Sequence, residues 1–287
     1  MAKPLTVLKS KQMKDNKEPI TVLTAYDYPS AKLAEEAGVD MILVGDSLGN
    51  VVLGYDTTIP VTVDDMVYHT RAVARGAGST FIIADMPFMS YHVSKEDTLR
   101  AASRLMKEGH ATAIKMEGGA EIADEVAACV RAGIPVMGHL GLTPQSIHML
   151  SGYRIQGKDE QSARKLLEDA LALEQAGAFA VVLELVTEPV AAEISAALSI
   201  PTIGIGAGRG CDGQVLVFHD LLQYASPYQP KKFVKNYANI GATIHSAIED
   251  YVKDVKNRRF PAEEHVFTSA GAGTASGPVY GSAKENG

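Results

Sequence analysis

The sequence has no tryptophan, only two cysteines and no apolar run long enough to cross a membrane. A membrane-spanning helix needs about 20 predominantly apolar residues, so we predict no membrane partner. Cys129 and Cys211 are far apart in the chain, and their spacing suits neither a metal site nor a redox motif. We therefore expect two small, buried hydrophobic side chains rather than a disulfide, as is usual in a reducing compartment.

Basic residues are outnumbered by acidic ones. The sequence has 27 lysines and arginines and 34 aspartates and glutamates, which gives a formal net charge of −7. A general nucleic-acid-binding protein normally carries a basic stripe, so this class is excluded, although a local site can still bind a small anion. Residues 1–19 lack the apolar stretch of a secretory signal and the Arg- and Ser-rich composition of an organelle import sequence. These features predict a cytoplasmic protein.

Strand-like and helical segments alternate along most of the chain. Eight apolar runs, the first at 20–25 and the last at 214–218, are separated by seven helical segments, and a C-terminal helix is predicted at about 233–255. A short N-terminal helix at 5–16 is expected to plug one end of the core. This alternation predicts a (β/α)8 TIM barrel, for which about 250 residues is typical, with an open doubly wound sheet as the alternative. No linker divides residues 1–265, so we expect a single barrel domain.

Three segments depart from this alternation. Residues 47–61 contain Gly and Thr and are expected to be extended. The connection at 140–159 is too long for an ordinary loop and too apolar for disorder, so we interpret it as an ordered wall or lid of an active site. Residues 268–287 are rich in Gly, Ala and Ser, a composition that predicts a disordered tail.

Four of the predicted strands end on a carboxylate, namely Asp46, Asp85, Glu117 and Glu184. Burying a carboxylate without a partner is costly, so each acid requires a cation, a hydrogen-bond donor or water beside it. In a (β/α)8 barrel, the carboxyl ends of all the strands meet at the active-site face. We therefore expect the four acids to converge on one metal-assisted active site.

Other polar residues at the strand ends belong to the same predicted opening: Tyr26, Ser47, Lys115, His139 and the glycines of 206–210. Lys115 and Glu117 are two positions apart on one strand, so their side chains share a face. One alternative is that they form an internal ion pair. The other is that a metal neutralises the acids, so that Lys115 is free to bind a substrate carboxylate. His139 is either functional or a satisfied core residue. The glycine loop lacks the context of a dinucleotide site, so we expect its glycines to allow a ligand or a neighbouring strand to approach closely.

Asp46 and Asp85 come from neighbouring strands, and a pair of carboxylates suits Mg²⁺, which binds one or two protein acids and keeps several waters. Helix capping is the alternative for both, although neither immediately precedes a predicted helix. Zinc does not fit, because no His/Cys pair has ligand spacing. Glu184 is predicted to face this pair across the ring as a general base, the alternative being a structural pair with an arginine.

Eight ordered motifs resemble those of the 3-methyl-2-oxobutanoate hydroxymethyltransferase (ketopantoate hydroxymethyltransferase) family. They are TAYDYPSAKLAEEAG, LVGDSLG, VTVDDMVYHTRAVARG, ADMPFMSY, IKMEGG, GHLGLTPQS, GYRIQGK and IGIGAG. The resemblance extends from about residue 21 to about residue 265, with no departure at a motif position. It implies a Mg²⁺-dependent TIM barrel of the phosphoenolpyruvate/pyruvate type, which assembles as a homodecamer of two pentameric rings.

The resemblance also implies an activity in pantothenate synthesis, the transfer of a hydroxymethyl group from 5,10-methylenetetrahydrofolate to 3-methyl-2-oxobutanoate to give 2-dehydropantoate. It implies that Asp46 and Asp85 bind the metal, with Glu117 as a further ligand or just outside the ligand shell. Asp46, Ser47, Asp85 and Lys115 would contact the 2-oxo acid, and Glu184 would accept the proton. Tyr26, Glu117 and His139 are candidates for contacting the substrate or supporting the residues that do.

Two other functions stay open on the residues alone. A Mg²⁺-dependent lyase of the same barrel type would cleave a C–C bond and would need a nucleophilic cysteine or a second carboxylate clamp, and neither cysteine lies at a suitable strand end. A catalytically silent barrel that binds a metabolite or supports an assembly would have lost strand-end carboxylates, whereas all four are present.

Overall fold

A computed structural model describes residues 4–225 and 229–267, and its centre is a closed barrel of eight parallel strands. Each strand pairs with its neighbours in the sequence, and the last returns to the first. The strands are β1 (Ile20–Thr24), β2 (Met41–Val44), β3 (Phe81–Asp85), β4 (Ala113–Glu117), β5 (Val136–Gly141), β6 (Ala180–Glu184), β7 (Thr202–Ile205) and β8 (Gly213–Leu216). The closed ring confirms the predicted (β/α)8 barrel and excludes the open sheet.

The helices are α1 (Val7–Asp15), α2 (Tyr28–Glu36), α3 (Leu48–Val51), α4 (Val63–Gly76), α5 (Lys95–Lys107), α6 (Ala123–Arg131), α7 (Glu160–Gln175), α8 (Glu188–Ala197), α9 (Phe218–Leu222) and α10 (Ile240–Lys256). Short 3₁₀ turns occur at Ala120–Ile122, Pro144–Ser146 and Glu263–His265. No helix in the described ranges is both long enough and apolar enough to span a bilayer. Cys129 and Cys211 are both free thiols, as expected, but only Cys129 is buried as predicted, whereas Cys211 is partly exposed.

Capping residues visible in the sequence set the starts of several helices. Thr62 Oγ1 accepts a hydrogen bond from Asp65 N, and the Asp65 carboxylate accepts one in return from Thr62 N, so α4 begins with a reciprocal capping box. Ser94 caps α5 through Asp97 N. Threonine and serine are among the residues preferred at helix starts, so both starts agree with local sequence preference.

The core has two layers because successive side chains on a strand point to opposite faces. On β2, Ile42 and Val44 pack outward against the helices, whereas Met41 and Leu43 point into the barrel. Met13 of α1 is buried in the inner cluster, and this contact confirms the predicted N-terminal plug. The same alternation points Asp85, Lys115, Glu117, His139 and Glu184 into the barrel at its carboxyl end.

The structure differs from the prediction in three places. Residues 47–61 are not entirely extended, because Val51 N donates to Ser47 O and Val52 N to Leu48 O, which forms α3. The eighth strand ends at Leu216, and His219 and Asp220 lie in α9. The C-terminal helix begins only at Ile240, where the Asn239 side chain accepts a hydrogen bond from Ala242 N.

Among the described residues, those up to 238 form one compact unit, which contains the barrel, and residues 239–267 form a second, which contains α10. The single domain expected for residues 1–265 stays a prediction. The expected disorder of residues 268–287 concerns a segment outside the described residues.

Candidate active site

A cavity of about 130 Å³ opens at the carboxyl ends of the strands and is lined by seven of the eight individually predicted residues: Asp46, Ser47, Asp85, Lys115, Glu117, His139 and Glu184. Register brings them together, since β3–β4 pairing places Asp85 beside Lys115 and β4–β5 pairing places Glu117 beside His139. The eighth, Tyr26, lies behind this lining. The predicted convergence of the four carboxylates is therefore present.

Asp46, Asp85 and Lys115 form one buried cluster in the site, each with about 3% of its surface exposed. The backbone N–H of Asp46 donates to Asp85 Oδ2 at 3.0 Å. Lys115 Nζ lies 3.0 Å from Asp85 Oδ1 and 3.8 Å from the Glu117 carboxylate. The ion pair between Lys115 and Glu117, which was one of the two alternatives from the sequence, is thus present, but Lys115 lies closer to Asp85 than to Glu117.

The carboxylates carry an excess of negative charge. Burial, followed by the charges of Asp85 and Glu117, raises the pKa of Asp46 well above its usual value. Burial also raises the pKa of Asp85, although the Lys115 ammonium opposes this shift. Burial alone would lower the pKa of Lys115, but the three surrounding carboxylates outweigh it and raise that pKa. A cation beside Asp46 and Asp85 would relieve the repulsion between the acids.

The arrangement of the carboxylates suits Mg²⁺, which needs only one or two of them, better than a metal that needs three or more side-chain ligands. Asp85 Oδ1 is buried without a hydrogen bond of acceptable geometry, although Lys115 lies within ion-pair range. Within residues 4–225 and 229–267, no group of three His, Cys, Asp or Glu side chains has a metal-binding arrangement. Two carboxylates and several waters are an ordinary Mg²⁺ environment. Asp46 and Asp85 could supply these two carboxylates, and Glu117, whose carboxylate lies 3.8 Å from Lys115 Nζ, is beside them.

Gln145 is a site residue that the sequence reasoning missed. Its side-chain Nε2 donates to Asp46 Oδ2 and to Met86 O, both at 2.9 Å, and its backbone N–H donates to Glu117 Oε2 at 3.0 Å. Its Oε1 accepts a bond from the Tyr91 hydroxyl at 2.7 Å. Gln145 belongs to the 140–159 connection, so this contact confirms an ordered active-site wall. Only the unusual length and apolar character of the connection pointed to it.

His139 lies between two acids on the far side of the cavity. Its Nδ1 is 3.5 Å from Glu117 Oε1, and its Nε2 is 3.3 Å from Glu184 Oε2. Burial and Lys115 lower the pKa of His139, but Glu117 and Glu184 outweigh them and raise it to about 9. Glu184 therefore has a histidine beside it. No arginine pairs with Glu184 among the residues that the structure describes.

Tyr26 supports the site without lining its cavity. Its hydroxyl lies 2.8 Å from Ser47 Oγ, and its backbone carbonyl lies 2.6 Å from His69 Nδ1. Burial raises the pKa of Tyr26, so the phenol stays protonated at neutral pH. Ser47 precedes α3 but makes no side-chain capping bond, and its hydroxyl faces the cavity beside Asp46.

The outer part of the cavity contains further residues that the sequence reasoning missed, among them Tyr153, Lys231 and Phe233. Lys231 Nζ forms an ion pair with Asp220 Oδ2 at 2.6 Å. Each of the three lies on a connecting segment rather than at a strand end. Strand patterns therefore could not identify them.

Comparison with known sequences gives a match over nearly the whole chain. Residues 4–263 match the family model for ketopantoate hydroxymethyltransferase. A 3-methyl-2-oxobutanoate hydroxymethyltransferase from Geobacillus sp. (strain WCH70) is 62% identical over 257 residues, which is 90% of this chain and 92% of the relative. The enzyme of the same name from Bacillus subtilis (strain 168) is 58% identical over 256 residues, with 89% and 92% covered.

Solved structures with a similar fold are much more distant in sequence. A phosphonopyruvate hydrolase in complex with oxalate and Mg²⁺ aligns with a TM-score of 0.57 at 16% identity, covering 93% of each chain. A 2,3-dimethylmalate lyase of the PEP mutase/isocitrate lyase superfamily aligns with a TM-score of 0.58 at 17% identity, covering 92% of this chain and 90% of the lyase. These similarities confirm the predicted TIM-barrel fold.

Proposed function

The chain belongs to the ketopantoate hydroxymethyltransferase family, and on this premise we propose which of its residues carry each part of the reaction. The enzyme is a transferase of pantothenate biosynthesis that acts on 3-methyl-2-oxobutanoate and gives 2-dehydropantoate. The one-carbon donor is 5,10-methylenetetrahydrofolate. The observation that supports the assignment most strongly is the 130 Å³ cavity, in which Glu184 faces the Asp46, Asp85 and Lys115 cluster.

The cavity is lined by both polar and apolar residues, as the 2-oxo acid has both polar and apolar groups. Asp46, Ser47 and Lys115 are the residues that would contact the carboxylate and keto oxygens of the substrate. Leu43, Val182, Ile205 and Val215 also line the cavity and provide an apolar surface for the isopropyl group. With the two oxygens held on the β2–β4 side, the C3 hydrogen is presented to Glu184 on β6.

Mg²⁺, when bound by Asp46 and Asp85, would supply a positive charge that polarises the keto group of the substrate. Lys115 is held protonated by its acidic neighbours and donates toward the substrate oxygens. The Ser47 hydroxyl, oriented by Tyr26, offers a further donor. Because these donors are fixed before the reaction, they stabilise negative charge as it develops without reorganising.

Glu184 accepts the proton from C3 of the substrate. The electron pair left on C3 then forms a C–C bond to the methylene carbon of the folate, and the first of the two C–N bonds of that carbon breaks. Water replaces the second folate nitrogen, so that the second C–N bond breaks and the water oxygen becomes the hydroxyl group on the transferred carbon. The proton from C3 and one from water end on the two folate nitrogens. His139, 3.3 Å from Glu184, keeps a hydrogen-bonding group beside the protonated acid.

Product formation tests this assignment directly. Purified protein incubated with 3-methyl-2-oxobutanoate, 5,10-methylenetetrahydrofolate and Mg²⁺ is expected to form 2-dehydropantoate, detected by mass spectrometry, and a chelator should abolish the signal. Formation of a cleavage product from a 2-oxo or hydroxy diacid instead would favour the lyase. The absence of both products, with the 2-oxo acid still bound, would favour a silent barrel.

We also propose that the protein works in the cytoplasm as a homodecamer. The resemblance to the family supports both statements. Light scattering after size-exclusion chromatography should give a mass near ten times the 30.5 kDa of one chain. A mass of one or two chains would contradict the decamer.

A further inference from the structure

The cavity that contains Glu184 is too small for both substrates. Its volume of about 130 Å³ suits the five-carbon oxo acid, whereas pockets for ligands of drug size, such as a folate, are on the order of 300–1,000 Å³. The one-carbon donor must nevertheless reach C3 of the oxo acid beside Glu184. It therefore requires a second space that opens onto this cavity.

A cleft of about 610 Å³ lies at the ends of β6 and β7, and we name it the β6–β7 cleft. Residues used below that line it are Ile155, Leu185, Glu188, Gly206, Lys232 and Phe233. Phe233 lines the active-site cavity as well. Leu185 and Gly206 directly follow Glu184 and Ile205, which line that cavity. The two spaces thus share one lining residue, Phe233, and are lined by consecutive residues at the ends of β6 and β7.

We infer that the β6–β7 cleft binds the reduced pterin and p-aminobenzoyl groups of the folate donor, an inference that rests on the proposed function. Ile155, Leu185 and Phe233 provide apolar surfaces for planar rings. The carboxylate of Glu188 can accept two hydrogen bonds from the 2-amino and N3–H edge of a pterin, as carboxylates do from other planar paired donors. Lys232, at the same cleft, carries the charge needed for the glutamate tail of the folate.

The glycine loop explains how Glu188 comes to lie in the cleft. Gly208 has φ of 80°, and a Cβ there would lie 2.4 Å from Glu188 Cγ. A side chain at 208 would therefore displace Glu188. The backbone N–H of Arg209 also donates to Glu188 Oε1 at 3.1 Å, a contact that any residue at this position keeps. The Arg209 side chain pairs with the same carboxylate through Nε at 2.8 Å and Nη2 at 3.4 Å, but this ion pair is exposed and holds the acid only weakly. The close approach predicted for this loop thus positions an acid in the cleft.

A second cleft, of about 320 Å³, is a less suitable site for the donor. It lies beside the ends of β1 and β8, and Val52, His69 and His219 are among its lining residues. None of its lining residues comes from the end of β6, where Glu184 removes the proton. Tyr26, whose hydroxyl bonds Ser47, stands between this cleft and the active-site cavity.

Four variants of the full chain test the inference. Ile155→Trp fills the β6–β7 cleft, and Glu188→Gln removes its carboxylate charge. Arg209→Gln is the matched control for Glu188→Gln, because it breaks the same exposed ion pair but leaves the acid. Val52→Trp fills the second cleft. Each is titrated with tetrahydrofolate by calorimetry and assayed for the KM of the folate donor, and deuterium exchange at C3 of the oxo acid without folate reports whether the active-site cavity is intact.

We expect Ile155→Trp and Glu188→Gln to weaken tetrahydrofolate binding and to raise the KM for the donor at least tenfold, while C3 exchange continues. Arg209→Gln and Val52→Trp should behave like the parent protein. Parental folate affinity in both cleft variants would overturn the inference, as would weakened binding in Val52→Trp alone. Failure of the parent itself to exchange the C3 proton would instead refute the proposed function.

Discussion

Gln145→Leu removes an amide that holds two of the site carboxylates in place. The leucine has a similar volume but cannot donate to Asp46 Oδ2 or Met86 O, nor accept from Tyr91. Each buried polar group left without a partner costs about 1–3 kcal/mol. The Tyr91 hydroxyl keeps a second acceptor in Glu117 O at 3.1 Å. Asp46 Oδ2 and Met86 O both lose this donor, so the free energy of unfolding should fall by about 2–6 kcal/mol.

The larger effect of Gln145→Leu should be on metal binding. Substituting a residue that orients a metal ligand typically weakens metal affinity by about 10–100-fold. We expect calorimetry to show a loss of this size for Mg²⁺ in the presence of the oxo acid. Gln161→Leu is the matched control, because Gln161 is exposed on α7. Parental Mg²⁺ affinity in a folded Gln145→Leu protein would refute the reasoning that Gln145 orients Asp46.

Two further predictions follow from buried and partly buried acids. Asp46→Ala combined with Asp85→Ala should abolish Mg²⁺-dependent binding of the oxo acid, and undiminished binding by calorimetry would rule out the metal assignment. Glu35 accepts hydrogen bonds from Ser79 N and Oγ and from Thr80 Oγ1, which outweigh burial and lower its pKa. The stability that these hydrogen bonds give the folded protein is therefore fully present above a pH of about 4.3, the pKa of a glutamate in the unfolded chain. It is lost as the pH falls through the lower pKa of Glu35 in the folded protein. Glu35→Gln should lower the free energy of unfolding by about 1 kcal/mol at pH 7, with the difference disappearing in acid; a difference independent of pH would contradict this.

The sequence predicted the strand-end residues well because local patterns determine their placement. Asp85, Lys115 and Glu184 each end an apolar run, and in a closed parallel barrel all such ends share one face. Alternation along β4 places Lys115 and Glu117 on the same side. Barrel closure itself followed from the number of alternating units. The convergence of these side chains is confirmed, whereas their chemical roles stay predictions.

Residues on connecting segments could not be predicted in the same way. Gln145 contacts Asp46 although the two residues are 99 positions apart in the chain. No periodicity in the sequence specifies the path of the segment that brings Gln145 there. Glu117 accepts a hydrogen bond from the backbone of the loop that carries Gln145, a contact that the sequence did not indicate. Its place at or just outside the metal's ligand shell stays a prediction. Contacts of this kind depend on tertiary packing, which strand and helix patterns do not encode.

Deuterium exchange at C3 tests the assigned role of Glu184 most directly. In deuterated water with Mg²⁺, the parent protein should exchange the C3 proton of 3-methyl-2-oxobutanoate, a reaction that nuclear magnetic resonance follows by loss of the C3 signal. Glu184→Gln should bind the oxo acid with little change in affinity yet lose this exchange. Exchange at the parental rate in Glu184→Gln would show that another group removes the proton.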